Sequence, residues 1–308
     1  MKKNISICIL FIFFYLSGYG QVDTVQHIND HKELTDSLPG YSNLTPVYQD
    51  SSASMPFKHK KTGVYQLNPT VDVPVIAVGT GWSLYAFTKI YKKGASTEQQ
   101  ILGLKTSDIN AFDRGGVHPY SQSLDNISYV PFYAAMPLPF VFFLTGEKTR
   151  HDFGTLSILY WETMSVTGLF GTGGTYFVDR YRPYAYSPET PMDQRLNQNA
   201  KNSFYAGHVE IVAASTFFIA KVYSDYYPES NLKWAVYGFA AAATGTMAWM
   251  RYEAGMHFPS DILLGTSMGA LSGILVPQFH KHKLIKNHDL GFVPFTNEQG
   301  KGIALYYK

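Results

Sequence analysis

The chain has 308 residues and a formal net charge of +2, and 45% of its residues are hydrophobic. This nearly neutral balance argues against a nucleic-acid binder that depends on a basic surface. The single cysteine, Cys8, excludes an intrachain disulfide and any metal site built from several thiolates.

The first twenty residues have the pattern of a secretory signal peptide. Lys2 and Lys3 precede an apolar run over residues 5–16, and the small residues Gly18 and Gly20 follow it. We therefore expect cleavage after Gly20 and an exported protein. A retained N-terminal anchor is the alternative, although the apolar run is shorter than the roughly 20 residues of a membrane-spanning helix.

The rest of the chain divides by composition into an arm, a helical domain and a tail. Residues 21–70 are polar and predict a loosely ordered arm. Residues 71–288 predict one helical domain, because its apolar segments are too long for strands and lack strict alternation. The aromatic and glycine spacing of residues 289–308 predicts a short β-hairpin. The apolar segments are 75–91, 127–146, 153–178, 209–223, 234–250 and 262–279.

These segments leave two settings open for the helical domain. Segments 127–146 and 262–279 carry no charge and come close to the length that spans a bilayer. Glu162 and Glu210, together with the mean hydropathy of −0.10, favour a buried soluble bundle instead. We expect an all-α, membrane-embedded bundle of about six core helices, with the soluble bundle as the alternative.

Basic residues predict the orientation of such a bundle. Those that follow the second and the last apolar segments are Lys148, Arg150, Lys281, Lys283 and Lys286. By the positive-inside tendency both regions face the cytoplasm, and the loops 179–207 and 251–260 face the opposite side. If the N-terminus is exported, a single membrane crossing by segment 75–91 would invert the orientation of all later segments. The segment then either lies along the surface or pairs with residues 109–117.

The last of three polar clusters contains Arg251, His257 and Asp261. Pro259 and Ser260 indicate a helix start, with Ser260 as the expected N-cap and Asp261 in the first turn. A carboxylate four residues after a histidine can accept a hydrogen bond from the imidazole. This bond fixes the tautomer and leaves the other ring nitrogen free to attack.

The middle cluster is Ser203-Phe204-Tyr205-Ala206-Gly207-His208, directly before an apolar segment. The first N–H groups of a helix have no intrahelical partner, and a glycine lets an anion approach them. The backbone at Ala206 and Gly207 is therefore a candidate phosphate site, and His208 a candidate proton donor.

The first cluster ends in Arg182-Pro183. Proline stops a helix, and the planar guanidinium of Arg182 is suited to binding anionic oxygens. The alternative is that Arg182 only complements a helix C-terminus.

The order Arg-Pro, Gly-His and Arg-x5-His-x3-Asp resembles the type 2 phosphatidic acid phosphatase superfamily, whose fold is shared with bacterial acid phosphatases and vanadium haloperoxidases. The resemblance covers residues 128–278 and implies the same helical bundle. It implies that His257 is a nucleophile that becomes phosphorylated, with Asp261 as its orienting partner and His208 as the general acid. It also implies that Arg182 and Arg251 hold the phosphoryl oxygens.

Three positions depart from the family pattern, and one of them is Met250, which precedes Arg251 where the family usually has a serine. Thr175 stands where the family has a lysine, and Ala206 replaces a serine while keeping the backbone N–H groups at Ala206 and Gly207. Loss of one preorganised donor costs on the order of 10²–10³ in rate. Arg180 or Lys201 could supply the missing positive charge.

The expected function is that of a phosphatase that hydrolyses a lipid phosphate ester or diphosphate through a phosphohistidine. We expect it in the cell-envelope membrane with its active site facing the periplasm. The alternatives are a soluble periplasmic acid phosphatase, a haloperoxidase and an inactive family member that binds phosphorylated lipid. No cofactor, metal site or nucleic-acid partner is expected, and His280 and His282 are assigned to the basic tail.

Overall fold

A computed structural model describes residues 63–281 in full and the backbone of residues 290–297 and 300–307. Within these residues the protein is all-α apart from one β-hairpin. The expected signal peptide, residues 21–62 of the expected arm and the basic residues between 282 and 289 lie outside the described residues.

The helices follow the apolar segments closely. Helices α1, α3 with α4, α6, α9, α10 and α11 correspond to the six predicted segments, so the prediction of an all-α bundle of about six core helices is confirmed. The helices are α1 (Pro69–Ile90), α2 (Glu98–Leu102), α3 (Gln122–Ala135), α4 (Leu138–Thr145), α5 (Glu147–His151), α6 (Phe153–Phe177), α7 (Pro183–Tyr186), α8 (Met192–Leu196), α9 (Gly207–Tyr226), α10 (Leu232–Glu253) and α11 (Pro259–Phe279).

The strands β1 (Leu290–Asn297) and β2 (Gly300–Tyr307) lie where the tail predicts a hairpin, and they pair antiparallel. The predicted segment 127–146 is interrupted. Helix α3 ends at Ala135, and α4 begins after Pro137, which has no N–H to continue a helix.

Helices α9 and α11 form the closest packed pair of the bundle. Gly265, Gly269 and Gly273 recur every fourth residue, so they lie on one face of α11. A Cβ atom at Gly265 would lie 2.6 Å from the carbonyl oxygen of Ala206, and one at Gly273 would lie 2.5 Å from that of Ala214. Only glycine allows the two backbones to approach this closely. We call these three positions the glycine seam.

Helix α1 packs along α6, which is neither of the two arrangements expected for segment 75–91. A Cβ atom at Gly79 would lie 2.6 Å from the carbonyl oxygen of Ser165, and the hydroxyl groups of Thr80 and Ser165 are 2.9 Å apart. The helix begins where Asn68 accepts a hydrogen bond from the N–H of Thr70, with Pro69 as its first residue. The small residues on α1 therefore explain its position in the bundle.

The packed region begins before residue 70, where the sequence predicts the end of a loose arm. Tyr65 is buried in the core cluster with Phe143 and Leu156. Its backbone forms an isolated bridge with Lys281. The residues that precede α1 and follow α11 therefore meet at the same end of the bundle.

Two basic regions share that end. Helix α9 has 20 residues, which is about 30 Å. Lys148 donates a hydrogen bond to the carbonyl oxygen of Tyr226, and Lys281 forms an ion pair with Asp225 at 2.8 Å. Both lysines thus contact the last residues of α9, at what we call the basic end. His208, in the first turn of α9, lies at the opposite end.

Candidate active site

Three separated stretches of chain meet at the end of the bundle opposite the basic end. The N–H of Ala206, just before α9, donates to the carbonyl oxygen of Asp261 in α11 at 3.3 Å. The N–H of Tyr184, in α7, donates to the carbonyl oxygen of Gly255 at 3.0 Å. These contacts join the start of α7, the start of α9 and the loop between α10 and α11, which carry all three predicted motifs.

His257 lies in the loop before α11 and is 2% exposed. Its Nδ1 atom is 2.7 Å from the backbone carbonyl oxygen of Ser203. Because a carbonyl only accepts, Nδ1 carries the proton and Nε2 keeps its lone pair. Burial, and then the charges of Arg182 and Arg251, lower the pKa of His257 well below 6.5. The ring is therefore neutral near pH 7 and can act as a nucleophile through Nε2.

Asp261 does not make the hydrogen bond to His257 that the spacing of the two residues predicts. Its Oδ2 atom accepts from the hydroxyl of Ser203 at 2.6 Å and from the N–H of Phe258 at 3.1 Å. The second bond ties the carboxylate back to the first turn of α11, whose N-cap is Phe258 and not the expected Ser260. Asp261 thus fixes Ser203, and the carbonyl of Ser203 orients the imidazole.

Arg180 is held between two buried carboxylates. Its guanidinium is 2.5 Å from Asp261 and 2.6 Å from Asp113. Asp113 also accepts from the N–H and the hydroxyl of Ser260. Burial alone would raise the pKa of Asp113, but hydrogen bonds, led by that from the Ser260 hydroxyl, hold it below its usual value. The segment before α3 is thereby attached to the start of α11.

Arg251, in the last turn of α10, is completely buried. Its Nη1 atom donates to the carboxylate of Asp125 at 2.5 Å and to the hydroxyl of Ser128 at 2.9 Å. Its Nε and Nη2 atoms have no hydrogen-bond partner among the described residues. Buried donors without a partner are costly, so they indicate a place where a polar ligand binds.

Arg182 is buried directly before Pro183, the first residue of α7. Its Nε and Nη2 atoms donate to the carbonyl and amide oxygens of Asn199, and its Nη1 atom is 3.1 Å from the sulfur of Met256. Within the described chain it has no carboxylate partner. The positive charge of Arg182 disfavours the charged form of Arg251. The two guanidinium groups therefore repel each other unless an anion binds near them.

His208 is the second residue of α9, and its ring packs against two aromatic side chains of α3. The ring centres are 4.3 Å apart for Phe132 and 5.0 Å apart for Tyr129. The Nε2 atom is buried and lacks a partner in the described part of the protein. Burial, and then the positive charges of Arg251 and Arg182, lower the pKa of His208 well below 6.5 in the absence of substrate. His208 and His257 therefore share one positively charged site.

The start of α9 is open to a ligand. No side chain caps it, because the N-cap residue is Ala206. A Cβ atom placed on Gly207 would meet nothing within 4 Å. The N–H groups of Gly207 and His208 are consequently available, and the helix dipole favours an anion there. The expectation that Ala206 also offers its N–H is wrong, because that group already donates to the carbonyl oxygen of Asp261.

The structure gives Thr175 no direct role at this site. Its hydroxyl donates to the carbonyl of Gly171 in the preceding turn of α6. Its own carbonyl oxygen accepts from Lys93 at 2.6 Å, and Lys93 also pairs with Asp179 at 2.7 Å. Lys93 thus places an ammonium group beside the backbone of Thr175, where its contacts hold it at the end of α6.

Neither proposed replacement for that lysine offers a free charge to the site. Arg180 is neutralised by its two carboxylates. Lys201 donates to the carbonyl oxygen of Gly94 at 3.2 Å and lies 5.9 Å from the ring centre of Tyr181. The hypothesis that either residue substitutes for the missing cation therefore finds no support in these contacts.

Sequence reasoning missed several residues that hold the site. Asp125 and Ser128 are three residues apart on α3 and bind one guanidinium, a spacing that places both on one helix face. Asn199 holds Arg182 from a loop with no motif of its own. Ser203 is the first residue of the middle cluster, but sequence reasoning assigned it no role, because no pattern of side chains shows what a backbone carbonyl contacts.

Comparison with known proteins supplies one family and one similar structure. Residues 156–284 match the model of the PAP2 superfamily, and this range contains all the motif residues discussed above except those on α3 and in the loop before it. A crystal structure titled as the first transmembrane PAP2 type phosphatidylglycerolphosphate phosphatase from Bacillus subtilis is 19% identical. The match covers 68% of this chain and 94% of that chain, with a TM-score of 0.41. No curated protein matches the sequence.

Proposed function

From the match of residues 156–284 to the model of the PAP2 superfamily, we propose that the protein hydrolyses a phosphate ester or diphosphate of a lipid through a phosphohistidine intermediate. The observation that supports this most strongly is the pair of buried guanidinium groups beside two histidines. Among the described residues, two donors of Arg251 and the Nε2 atom of His208 have no partner, and they lie in the same site as the neutral ring of His257.

The first step forms a bond between His257 and phosphorus. The lone pair on Nε2 attacks the phosphoryl group, and the bond from phosphorus to the leaving oxygen breaks. His208 donates a proton to that oxygen, and it holds that proton only with substrate bound, because the phosphate's negative charge then offsets Arg182 and Arg251 at the ring. Arg182, Arg251 and the first N–H groups of α9 hold the remaining phosphoryl oxygens, which carry the charge of the transition state.

The second step returns the enzyme to its starting state. His208, now neutral, accepts a proton from water, and the water oxygen attacks phosphorus. The bond to Nε2 breaks and inorganic phosphate leaves. Since the carbonyl of Ser203 holds the proton on Nδ1 through both steps, Nε2 is the atom that is phosphorylated and released.

A lipid substrate and a membrane setting are supported by the uncovered apolar surface of the bundle. Two helical stretches, Gln122–Thr145 and Pro259–Phe279, have the length and hydropathy of membrane spans. Only 22% and 33% of their apolar windows are buried inside the described protein. The core helix of a soluble protein would be mostly covered. Val130 and Leu263, for example, are 69% and 57% exposed.

A screen of purified full-length protein tests this function. Phosphate release is measured from lipid phosphates and lipid diphosphates in detergent, and from soluble monoesters, for the parent and for His257→Ala. We expect release from a lipid substrate by the parent and loss of at least 10³-fold in the variant. Equal release by both proteins would overturn the mechanism, and preference for soluble monoesters would overturn the lipid substrate.

The alternative of a binding protein without activity is favoured by Thr175 and Ala206, which lack the family's lysine and hydroxyl. In that case the parent binds lipid phosphate in the same screen but releases none. The orientation of His257 by Ser203 argues for catalysis, because a binding site needs no aligned nucleophile.

A further inference from the structure

Three titratable side chains meet in a second buried cluster, remote from the candidate active site. They are Asp72 in α1, Glu162 in α6 and His280, which directly follows α11, and they are 2%, 5% and 8% exposed. The Nε2 atom of His280 is 3.1 Å from Asp72 Oδ1 and 3.3 Å from Glu162 Oε2. The N–H of Gln66 donates to the carbonyl of His280, which places the cluster toward the basic end.

The hydrogen bonds around the cluster leave one atom of each side chain directed into it. The Nδ1 atom of His280 is 2.8 Å from the carbonyl of Val276 and must donate to it, so Nε2 faces the two carboxylates. Asp72 uses Oδ2 to accept from the N–H of Asn68, which leaves Oδ1. Glu162 Oε2 is buried and makes no hydrogen bond to any described residue.

With both carboxylates ionised, the charges of the cluster do not balance among the described residues unless a cation binds. Two carboxylates face one imidazole, and a neutral imidazole would point its lone pair at two anionic oxygens. The neighbouring Lys281 is engaged elsewhere, in its ion pair with Asp225. A protonated His280 would still leave one negative charge buried, whereas a divalent cation on a neutral His280 neutralises both carboxylates.

We propose that Asp72, Glu162 and His280 bind a divalent transition-metal ion of the zinc class. One ligand atom from each residue lies within 4.8 Å of the other two. Zinc bonds of about 2.0–2.2 Å place neighbouring tetrahedral ligands roughly 3.3–3.6 Å apart, close to the two measured separations. The imidazole ligand disfavours Mg²⁺ and Ca²⁺, which take oxygen ligands. The bond from Nδ1 to a backbone carbonyl is the support that metal-binding histidines usually have.

The bound ion joins three helices that come from distant parts of the chain. Its ligands are 90 and 118 positions apart in sequence, counted from residues 72, 162 and 280. Binding energy at such a site stabilises the folded state. The ion therefore fastens α1 and the end of α11 to α6, and it takes no part in the chemistry at His257.

Metal content and thermal unfolding of the full-length protein in detergent test the site. The protein is treated with a chelator, dialysed against a buffer with micromolar free Zn²⁺, and assayed for bound zinc by mass spectrometry. We expect the parent to bind one ion more than Glu162→Gln, and its Tm to rise by several degrees with zinc. Glu147→Gln removes an exposed carboxylate at the same end and should keep both properties.

The proposal is overturned if zinc leaves the Tm of the parent unchanged, which would identify the cluster as an ion pair of protonated His280. It is also overturned if the parent and Glu162→Gln bind equal amounts, because the zinc is then held elsewhere. Should Glu162→Gln fail to fold, His280→Gln serves in its place. The Tm of the parent alone still decides between metal and proton.

Discussion

Ser203 connects Asp261 to His257 through two different atoms. Its hydroxyl donates to Asp261 at 2.6 Å, and its carbonyl accepts from His257 at 2.7 Å. The carboxylate consequently orients the nucleophile without touching it. Arg180 binds the other oxygen of Asp261, so the same carboxylate also anchors the loop that carries Asp113.

Replacing Ser203 by alanine removes the hydroxyl but keeps the carbonyl. We expect Ser203→Ala to lower kcat by about 10- to 100-fold with little change in KM, because the carbonyl that aims His257 is no longer held. Adding Asp261→Asn should cost less in this variant than in the parent, since both act through one contact. Ser123→Ala, at an exposed position of α3, is the control. Fully additive losses would contradict the coupling.

The lowered pKa of His257 predicts how the activity depends on pH. The nucleophile must be neutral, and burial together with Arg182 and Arg251 keeps it neutral well below pH 6.5. As the pH falls, activity is therefore lost only when the pH approaches this lowered pKa. We expect the acid limb of kcat/KM to inflect below pH 6.5, once the ionisation of the substrate phosphate has been measured and divided out. An inflection at or above 6.5 would show that His257 is not buried among positive charges.

At the scale of elements, the glycine seam positions the site. It brings α11 so close to α9 that the N–H of Ala206 reaches the carbonyl of Asp261. The starts of the two helices are thereby fixed side by side, with His208 on one and the loop of His257 leading into the other. Widening the seam would separate the two histidines.

Two glycine substitutions separate this packing role from helix propensity. In Gly269→Ala, the new Cβ would meet the side chain of Ala213 at 2.8 Å and also overlap the backbone of Glu210. We expect a loss of about 1–3 kcal/mol in unfolding free energy and a fall in Tm. Gly238→Ala, on α10, meets nothing within 4 Å and should be neutral or stabilising by about 0.5–1 kcal/mol. Equal Tm values for both variants would contradict the seam.

At the scale of the whole molecule, the two ends of the bundle differ in character. Lys148 and Lys281 lie at the basic end, and His208 and His257 lie at the other. Because Tyr65 pairs with Lys281, the start of the described chain is also at the basic end. If the bundle crosses the membrane, a cleaved export signal would put the start of the chain, and with it the basic end, outside the cytoplasm. This expectation conflicts with basic loops that face the cytoplasm. The positive-inside tendency favours basic loops in the cytoplasm and the active site outside.

Single-cysteine labelling tests this orientation, because Cys8 is the one native cysteine. In a Cys8→Ala background, Glu189→Cys and Glu147→Cys place exposed thiols near the active site and at the basic end. A membrane-impermeant maleimide applied to spheroplasts should label position 189, and position 147 only after permeabilisation. The reverse pattern would place the active site in the cytoplasm and would agree with an exported N-terminus.

The sequence predicted the helices and the motif residues, but it did not predict their partners. Apolar runs identified the core helices because a long apolar run is a local signal, which can be recognised without knowing the residues that pack against it. The contacts of Asp125 with Arg251 and of Asn199 with Arg182 join residues distant in sequence, so no local pattern reveals them. Asp261 was given the wrong direct partner, because spacing along the chain cannot show that a backbone carbonyl occupies the place beside His257.

The most direct test of the central claim is to trap phosphate on His257. The protein is mixed with a lipid phosphate labelled in its phosphoryl group and quenched in alkali, in which phosphohistidine is stable. Peptide mapping should then find the label on His257 of the parent, and none on His257→Ala. Steady turnover by the parent with no label on His257, or with the label on another residue, would contradict the mechanism.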